Sequence, residues 1–465
     1  MYLATLAVLG AALLLFAILG LRAGRADSPL DDYVTARNSQ RGTTLGLSFL
    51  ASGMGAWILF APPEVGAFVG PVALAGYAIG SALPFIVLAL CGPAIRRRLP
   101  TGRSIGEFAA ERFGTGMRRY VALLSVLYMA CFLAAELSAI GGITALLSPL
   151  AGSVAIVAVA LTTLAYTAWG GLRASLVTDR WQALLLGVLL VLVAGAVLGD
   201  LPALPAGAAM PSVPAGEALN VAVTLVIAVT AANLFHQGYW QRVWAARDGA
   251  ALGRGAVLGG VTTVLVVAVV GGLGILAAMS GADLGEPPMP FFALLGAAPA
   301  WLTLLVLVLA VTLVASSVDT LQNGIASLLV GEGEALSRHG VSLAAARWLT
   351  LALMVPAVLV ALQGYSVLRL FLIADLLCAT AVVPVLMGLW ARMSAPAAAA
   401  GAVAGLVGAI LPDWIARGSL GDALLAASFP GGETTLAPFA GALVASSAVA
   451  LLVALARPHP AWQAG

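Results

Sequence analysis

Thirteen stretches of nearly unbroken apolar residues run along the chain, near 3–21, 44–70, 71–95, 119–148, 152–169, 175–198, 219–237, 255–279, 299–330, 342–363, 367–391, 395–412 and 437–456. Each is close to the ~20 residues a helix needs to cross a bilayer. Polar residues collect in the short connections between them. The pattern predicts an all-α integral membrane protein of 13 transmembrane helices. The first stretch lacks a basic leader region and a cleavage site, so it counts as a spanning helix and not as a signal peptide. The connections leave no room for an appended soluble catalytic or kinase domain.

Composition agrees, with 62% hydrophobic and 9% charged residues, more apolar than a water-soluble surface tolerates. All 22 basic residues are arginine. Twenty of them fall on one side if the N-terminus is outside and the C-terminus cytoplasmic, and only Arg369 and Arg417 fall on the other. A net charge of +2 gives no sign of a nucleic-acid partner, and Cys91, Cys131 and Cys378 lack metal or redox spacing. The stretch 104–119 sets Ile105, Phe108 and Phe113 among charges, as a short helix lying at the membrane interface does. No nucleophile, base and orienting group occur together, so an enzyme is not expected.

One span departs from the pattern. SGMGAWILFAPPEVGAFVGP, residues 52–71, carries four glycines, two adjacent prolines and a carboxylate. It should unwind near Gly53–Gly55 or around Pro62–Pro63. Unwound backbone at membrane depth is tolerated only where protein or a water-filled cavity satisfies it, which marks a binding site.

Glu64, Glu136, Asp179, Asp319 and Asp375 also lie in or at the ends of spans. A buried charge there costs at least ~2.5–3.5 kcal/mol, so each calls for a cationic partner: an arginine, a transported ion or a charged solute. In LVASSVDTLQNGIASL, 313–328, Ser316, Ser317 and Thr320 lie at helical spacing after Leu313. Oxygen ligands in that arrangement suit a hard cation such as sodium, although membrane serines and threonines also bond back to their own carbonyls.

SGMGAW, GGLRASLVTDRWQ (170–182), FHQGYWQRVWAARD (235–248) and SSVDTLQNGIASL occur in an order and spacing that resemble the sodium:solute symporter family, over roughly 30–395. YWQR with IADLLCA looks most like its urea and polyamine permease branch. The resemblance implies a LeuT-type 5+5 inverted repeat with one extra N-terminal and two extra C-terminal helices, in a bacterial-type plasma membrane. The expected units are 1–30 (extra helix), 31–198 (first repeat), 199–393 (second repeat) and 394–465 (two C-terminal helices and tail). The first helix of each repeat is the broken one.

The resemblance also implies a coupling sodium ion held by the carbonyls of Ala51, Met54 and Leu313 and the hydroxyls of Ser316 and Ser317. A second sodium site, present in some members, maps onto Asp179 and Thr320, with Asp319 either strengthening or replacing it. Proline carriers of the family have an aspartate at the position of Gly53, and many relatives have a glutamine at that of Glu136. Trp57, Glu64 and Glu136, with Asn233, Phe235, His236 and Tyr239, are the expected substrate contacts, and His236 reads as a packed or water-linked histidine before a proton relay. Trp240, Gln241 and Arg242 are expected at the inner gate or lipid interface. The implied function is sodium-coupled symport of a small polar solute such as urea, a polyamine or proline, by alternating access. Proton coupling on the same fold, and a non-transporting sensor, are the alternatives.

Overall fold

The computed structural model describes residues 1–25, 28–199, 204–286, 288–296, 298–336, 341–363, 367–429 and 435–456. Its helices are α1 (Tyr2–Ala23), α2 (Leu30–Thr35), α3 (Gly42–Gly53), α4 (Ala61–Phe68), α5 (Pro71–Arg98), α6 (Ile105–Phe113), α7 (Thr115–Leu147), α8 (Gly152–Gly199), α9 (Ala215–Asn233) and α10 (Gln237–Ala245). They continue as α11 (Gly249–Ser280), α12 (Pro290–Ala293), α13 (Ala300–Leu336), α14 (Leu343–Leu362), α15 (Val367–Ala379), α16 (Val382–Leu386), α17 (Ala395–Arg417), α18 (Leu420–Ala427) and α19 (Leu436–Ala456).

Among the described residues, 10 helices are long and apolar enough to cross a membrane, or up to 12 if each of two bent pairs is one span, against the 13 that hydropathy predicts. The difference lies in α8. It runs over 48 residues as two helices joined across a kink, roughly 72 Å in all at ~1.5 Å per residue, too long for one crossing of a ~30 Å hydrocarbon core. It bends at Gly171 (φ 56°, ψ −144°), between the two stretches that hydropathy separates. A side chain there would be strained, and its Cβ would meet the Tyr33 carbonyl oxygen at 2.3 Å.

The two bent pairs are α3 with the segment 56–68 (64°) and 371–379 with 382–389 (47°). In the first, α3 stops at Gly53, Met54 and Gly55 are extended, and a 3₁₀ turn (Ala56–Leu59) leads into α4. Of the two candidate positions, the glycines hold the break. Pro62 and Pro63 lie in the first turn of α4, where a missing N–H costs nothing. A second interruption separates α9 from α10 at Leu234–His236.

The interfacial stretch forms α6, capped by Ser104, with Ile105, Phe108 and Phe113 buried and Gly114 (φ 83°) turning into α7. Helix α11 packs on α3, α4 and α5, α13 packs on α7 and α8, and α10 lies against α13. Both interrupted helices therefore border α13. Helices α17 and α19 pair with each other.

Candidate functional site

The interrupted helix is stapled from α7. Glu136, 1% exposed, accepts a hydrogen bond from the Ala56 N–H through Oε2 at 2.7 Å, capping the turn that follows the break. Its other oxygen, Oε1, has no hydrogen-bond partner among the described residues. Gly55 makes the approach possible, since a Cβ there would lie 1.9 Å from Glu136 Oε1. Glu136, expected among the substrate contacts, thus holds the break in shape.

Serines 316 and 317 lie on α13 and are buried, and neither hydroxyl oxygen has a hydrogen-bond partner among the described residues. Asp179 of α8 approaches Ser316, and its Oδ1 is likewise buried and unpartnered. Asp179 and Ser316 thus bring oxygens that suit a hard cation together between α8 and α13. Ala51 and Met54 flank the end of α3, where helical carbonyls lose their i+4 partners. Leu313 lies inside an unbroken helix, so its carbonyl is engaged by the backbone and not loosened.

The other oxygen of Asp179 is tied up. Oδ2 accepts from Arg242 Nη2 at 2.7 Å and from Ser48 Oγ at 2.6 Å. Arg242 is fully buried on α10. It also donates through Nε to Ser48 Oγ (2.9 Å), through Nη1 to the Gly238 carbonyl (2.7 Å) and through Nη2 to Thr320 Oγ1 (3.1 Å). Asp319 accepts from Tyr166 Oη (2.7 Å), Ser175 Oγ (2.7 Å), Thr178 Oγ1 (3.0 Å) and Thr320 Oγ1 (3.3 Å). Asp179 and Thr320 therefore share one guanidinium, and Asp319 is hydrogen-bonded to Thr320. That guanidinium belongs to Arg242, which the sequence reading places at the inner gate or lipid interface.

On the far side of the break the lining is aromatic. The His236 ring stacks on Tyr239 (centroids 4.6 Å apart, 19° between planes) and is edge-on to Tyr128 and Phe132, each at 6.1 Å. Both its ring nitrogens are buried without a partner among the described residues. Tyr239 Oη lies where a side chain on residue 53 would go, 2.6 Å from a Cβ built on Gly53. Trp57 is edge-on to Tyr77 at 5.6 Å and donates its indole N–H to the Gly53 carbonyl. Tyr77 is within electrostatic reach of both Glu64 and Asp375, and Tyr128 of Asp375. Glu64 is half-buried and Asp375 buried, and no opposite charge or hydrogen bond acts on either carboxylate among the described residues. Asn233 Nδ2 donates back to the Val229 carbonyl, and Phe235 is buried, with no ring contact to the set among the described residues. Tyr128 and Phe132 are not among the residues expected from the sequence, although they lie two turns and one turn before Glu136 on the same face of α7.

At the end of the molecule that holds most arginines, ion pairs join distant segments. Arg37 and Arg103 both bind Asp31, Arg103 also binds Glu334, Arg118 binds Glu332 and Arg173 binds Asp32. Burial alone would raise the Asp31 carboxyl, but Arg37 and Arg103 hold it below its ordinary range.

No protein-family model matches the chain. The spermidine transporter DUR31 of Candida albicans is 29% identical over 366 residues, which cover 77% of this chain and 69% of that protein. Among solved structures, a Na+-coupled sialic acid symporter in a substrate-bound outward-open state matches with a TM-score of 0.79 at 16% identity, over 99% of each chain. Mhp1, a nucleobase-cation-symport-1 family transporter in a closed conformation with bromovinylhydantoin bound, matches with a TM-score of 0.57 at 14% identity, over 93% of this chain and 94% of that one. The chain has the fold of LeuT-type multi-pass membrane transporters. These relatives and structural neighbours are transporters, not enzymes.

Proposed function

We propose that the chain is a secondary active transporter of the sodium:solute symporter type that couples inward movement of sodium to uptake of a small cationic amine, polyamines foremost. The observation that carries the sodium assignment is the set of buried oxygens of Ser316, Ser317 and Asp179 Oδ1, which make no geometric hydrogen bond among the described residues, with Asp179 also holding Ser48 of α3. A cation seated there, with the Ala51 and Met54 carbonyls, ties the interrupted helix to α13. It favours one of two states by its difference in affinity for them, which is all that coupling requires.

The amine assignment rests on Glu64 and Asp375. Neither carboxylate has a compensating charge among the described residues, which is costly in an apolar span unless the solute brings one, and the rings of Trp57, Tyr77, Tyr128 and Tyr239 offer faces that attract cations. Such a lining suits a chain of methylenes between ammonium groups better than neutral urea or zwitterionic proline. The resemblance to a spermidine transporter supports the same reading.

In this reading the two repeats are 31–198 and 199–393, with α3–α4 and α9–α10 as their broken first helices. The chain crosses the membrane 13 times when α8 is divided at Gly171 and each bent pair is one span, with the arginine-rich ends cytoplasmic. Thermal unfolding of the purified protein with spermidine, urea and proline, each with and without sodium, tests the assignment. Stabilisation by spermidine that increases with sodium is expected, and stabilisation by urea or proline alone would overturn the amine reading.

A further inference from the structure

We infer that Arg242 is a resident cation in the second ion site, so that one sodium ion, and not two, accompanies each solute. The inference rests on the sodium reading above and concerns its stoichiometry. Two of the three residues expected at the second site are bound by this guanidinium, since Nη2 donates to both Asp179 and Thr320, and Thr320 in turn donates to the third, Asp319. Arg242 is 0% exposed, and four of its contacts are to oxygen: Ser48 Oγ, the Gly238 carbonyl, Asp179 Oδ2 and Thr320 Oγ1. A mobile cation at this point would have to displace a covalently tethered one.

Charge counting leads to the same number. Asp179 and Asp319 are within electrostatic reach of each other, and Arg242 is ion-paired with Asp179. Two carboxylates and one guanidinium leave one negative charge buried in a span, and one sodium ion at Ser316 and Ser317 cancels it. Asp179 links the two positions, giving Oδ2 to Arg242 while Oδ1 stays free on the side of Ser316. The tethered cation also fixes α10 to α3, through Ser48, throughout the cycle, whereas the sodium bridge forms and dissolves with each turn.

Binding of radioactive sodium to the detergent-purified full chain, at alkaline pH and without solute, tests this directly. The wild-type protein should bind one ion per chain with a Hill coefficient near one. Arg242→Gln leaves two uncompensated carboxylates and should bind two, with a Hill coefficient above one, while Arg242→Gln combined with Asp179→Asn should return to one. Asp319→Asn keeps the shape of its side chain but brings the cluster to neutrality without sodium, so sodium affinity should fall on the order of tenfold. This variant decides the matter if Arg242→Gln does not fold. Two ions bound by wild type, a folded Arg242→Gln that still binds one, or unchanged affinity in Asp319→Asn would overturn the inference. Absence of sodium binding by wild type would instead remove the sodium reading on which it rests.

Discussion

Replacing Gly55 by alanine places a methyl group against the Glu136 carboxylate, 1.9 Å from Oε1 and 2.4 Å from Cδ, distances no Cβ contact can sustain. Since Glu136 is buried on α7 and Gly55 is pinned between two helical segments, the carboxylate has to leave, and the Ala56 N–H loses its 2.7 Å partner. A buried donor left unpaired costs about 1–3 kcal/mol. A free-energy change of that size corresponds to roughly a 5- to 150-fold loss in the population that carries the correct break. Transport by Gly55→Ala should fall within that range in reconstituted vesicles, and the purified protein should unfold at a lower temperature. Glu136→Gln retains a carbonyl oxygen for the Ala56 N–H and should cost less than Gly55→Ala. The decisive comparison is the double-mutant cycle. In a Glu136→Ala background there is no carboxylate to displace, so Gly55→Ala should add little further loss. If the two substitutions instead cost the sum of their separate effects, the carboxylate is not what the glycine accommodates, and the account of the break is wrong.

The remaining predictions concern ion, solute and pH. Ser316→Ala and Ser317→Ala remove hydroxyls that make no geometric hydrogen bond among the described residues, so thermal stability without sodium should hardly change while the sodium concentration for half-maximal uptake rises severalfold. Equal sodium dependence in both variants and wild type would refute the assignment. Asp375→Asn and Glu64→Gln should weaken spermidine uptake on the order of tenfold or more each, by loss of a charge partner, without altering sodium binding. A parallel loss of sodium binding would point to a folding defect instead. For Asp31, whose carboxyl is held below its ordinary value by Arg37 and Arg103, the sign is that of a depressed acid. Its stabilising contribution is complete above the ordinary carboxylate pKa and is lost as pH falls through the depressed one. Asp31→Asn should therefore be less thermostable than wild type at neutral pH and indistinguishable from it in strong acid, whereas a gap that persists in acid would contradict the charge assignment.

Much of the framework is legible in the sequence because local physics decides it. Glycines at 53 and 55 locate the break, and Gly170–Gly171 mark the bend within α8. Pro62 and Pro63, the rival position, fail to break the helix for an equally local reason, since they occupy its first turn. The partners of the buried charges are not local. Asp179 has Arg180 beside it in sequence, yet successive residues on a helix point in different directions, and Arg180 is exposed while Asp179 is buried. Its true partner, Arg242, lies 63 residues further on, at a position that the sequence reading assigns to the inner gate or lipid interface. Glu136 was visible as an intramembrane acid, but its bond to the backbone of Ala56 depends on a fold that brings residues 80 apart together. Only the spacing of Tyr128, Phe132 and Glu136 along α7 hinted that one face turns inward.

The central claim is that sodium moving down its gradient drives accumulation of a cationic amine. The most direct test is uptake of radiolabelled spermidine by proteoliposomes containing the full chain, with an inward sodium gradient, an inward proton gradient or neither. Accumulation above equilibrium with the sodium gradient alone, abolished when the gradient is collapsed and weakened in Ser317→Ala, is the predicted result. Accumulation driven by the proton gradient in the absence of sodium, and indifferent to Ser317→Ala, would contradict it.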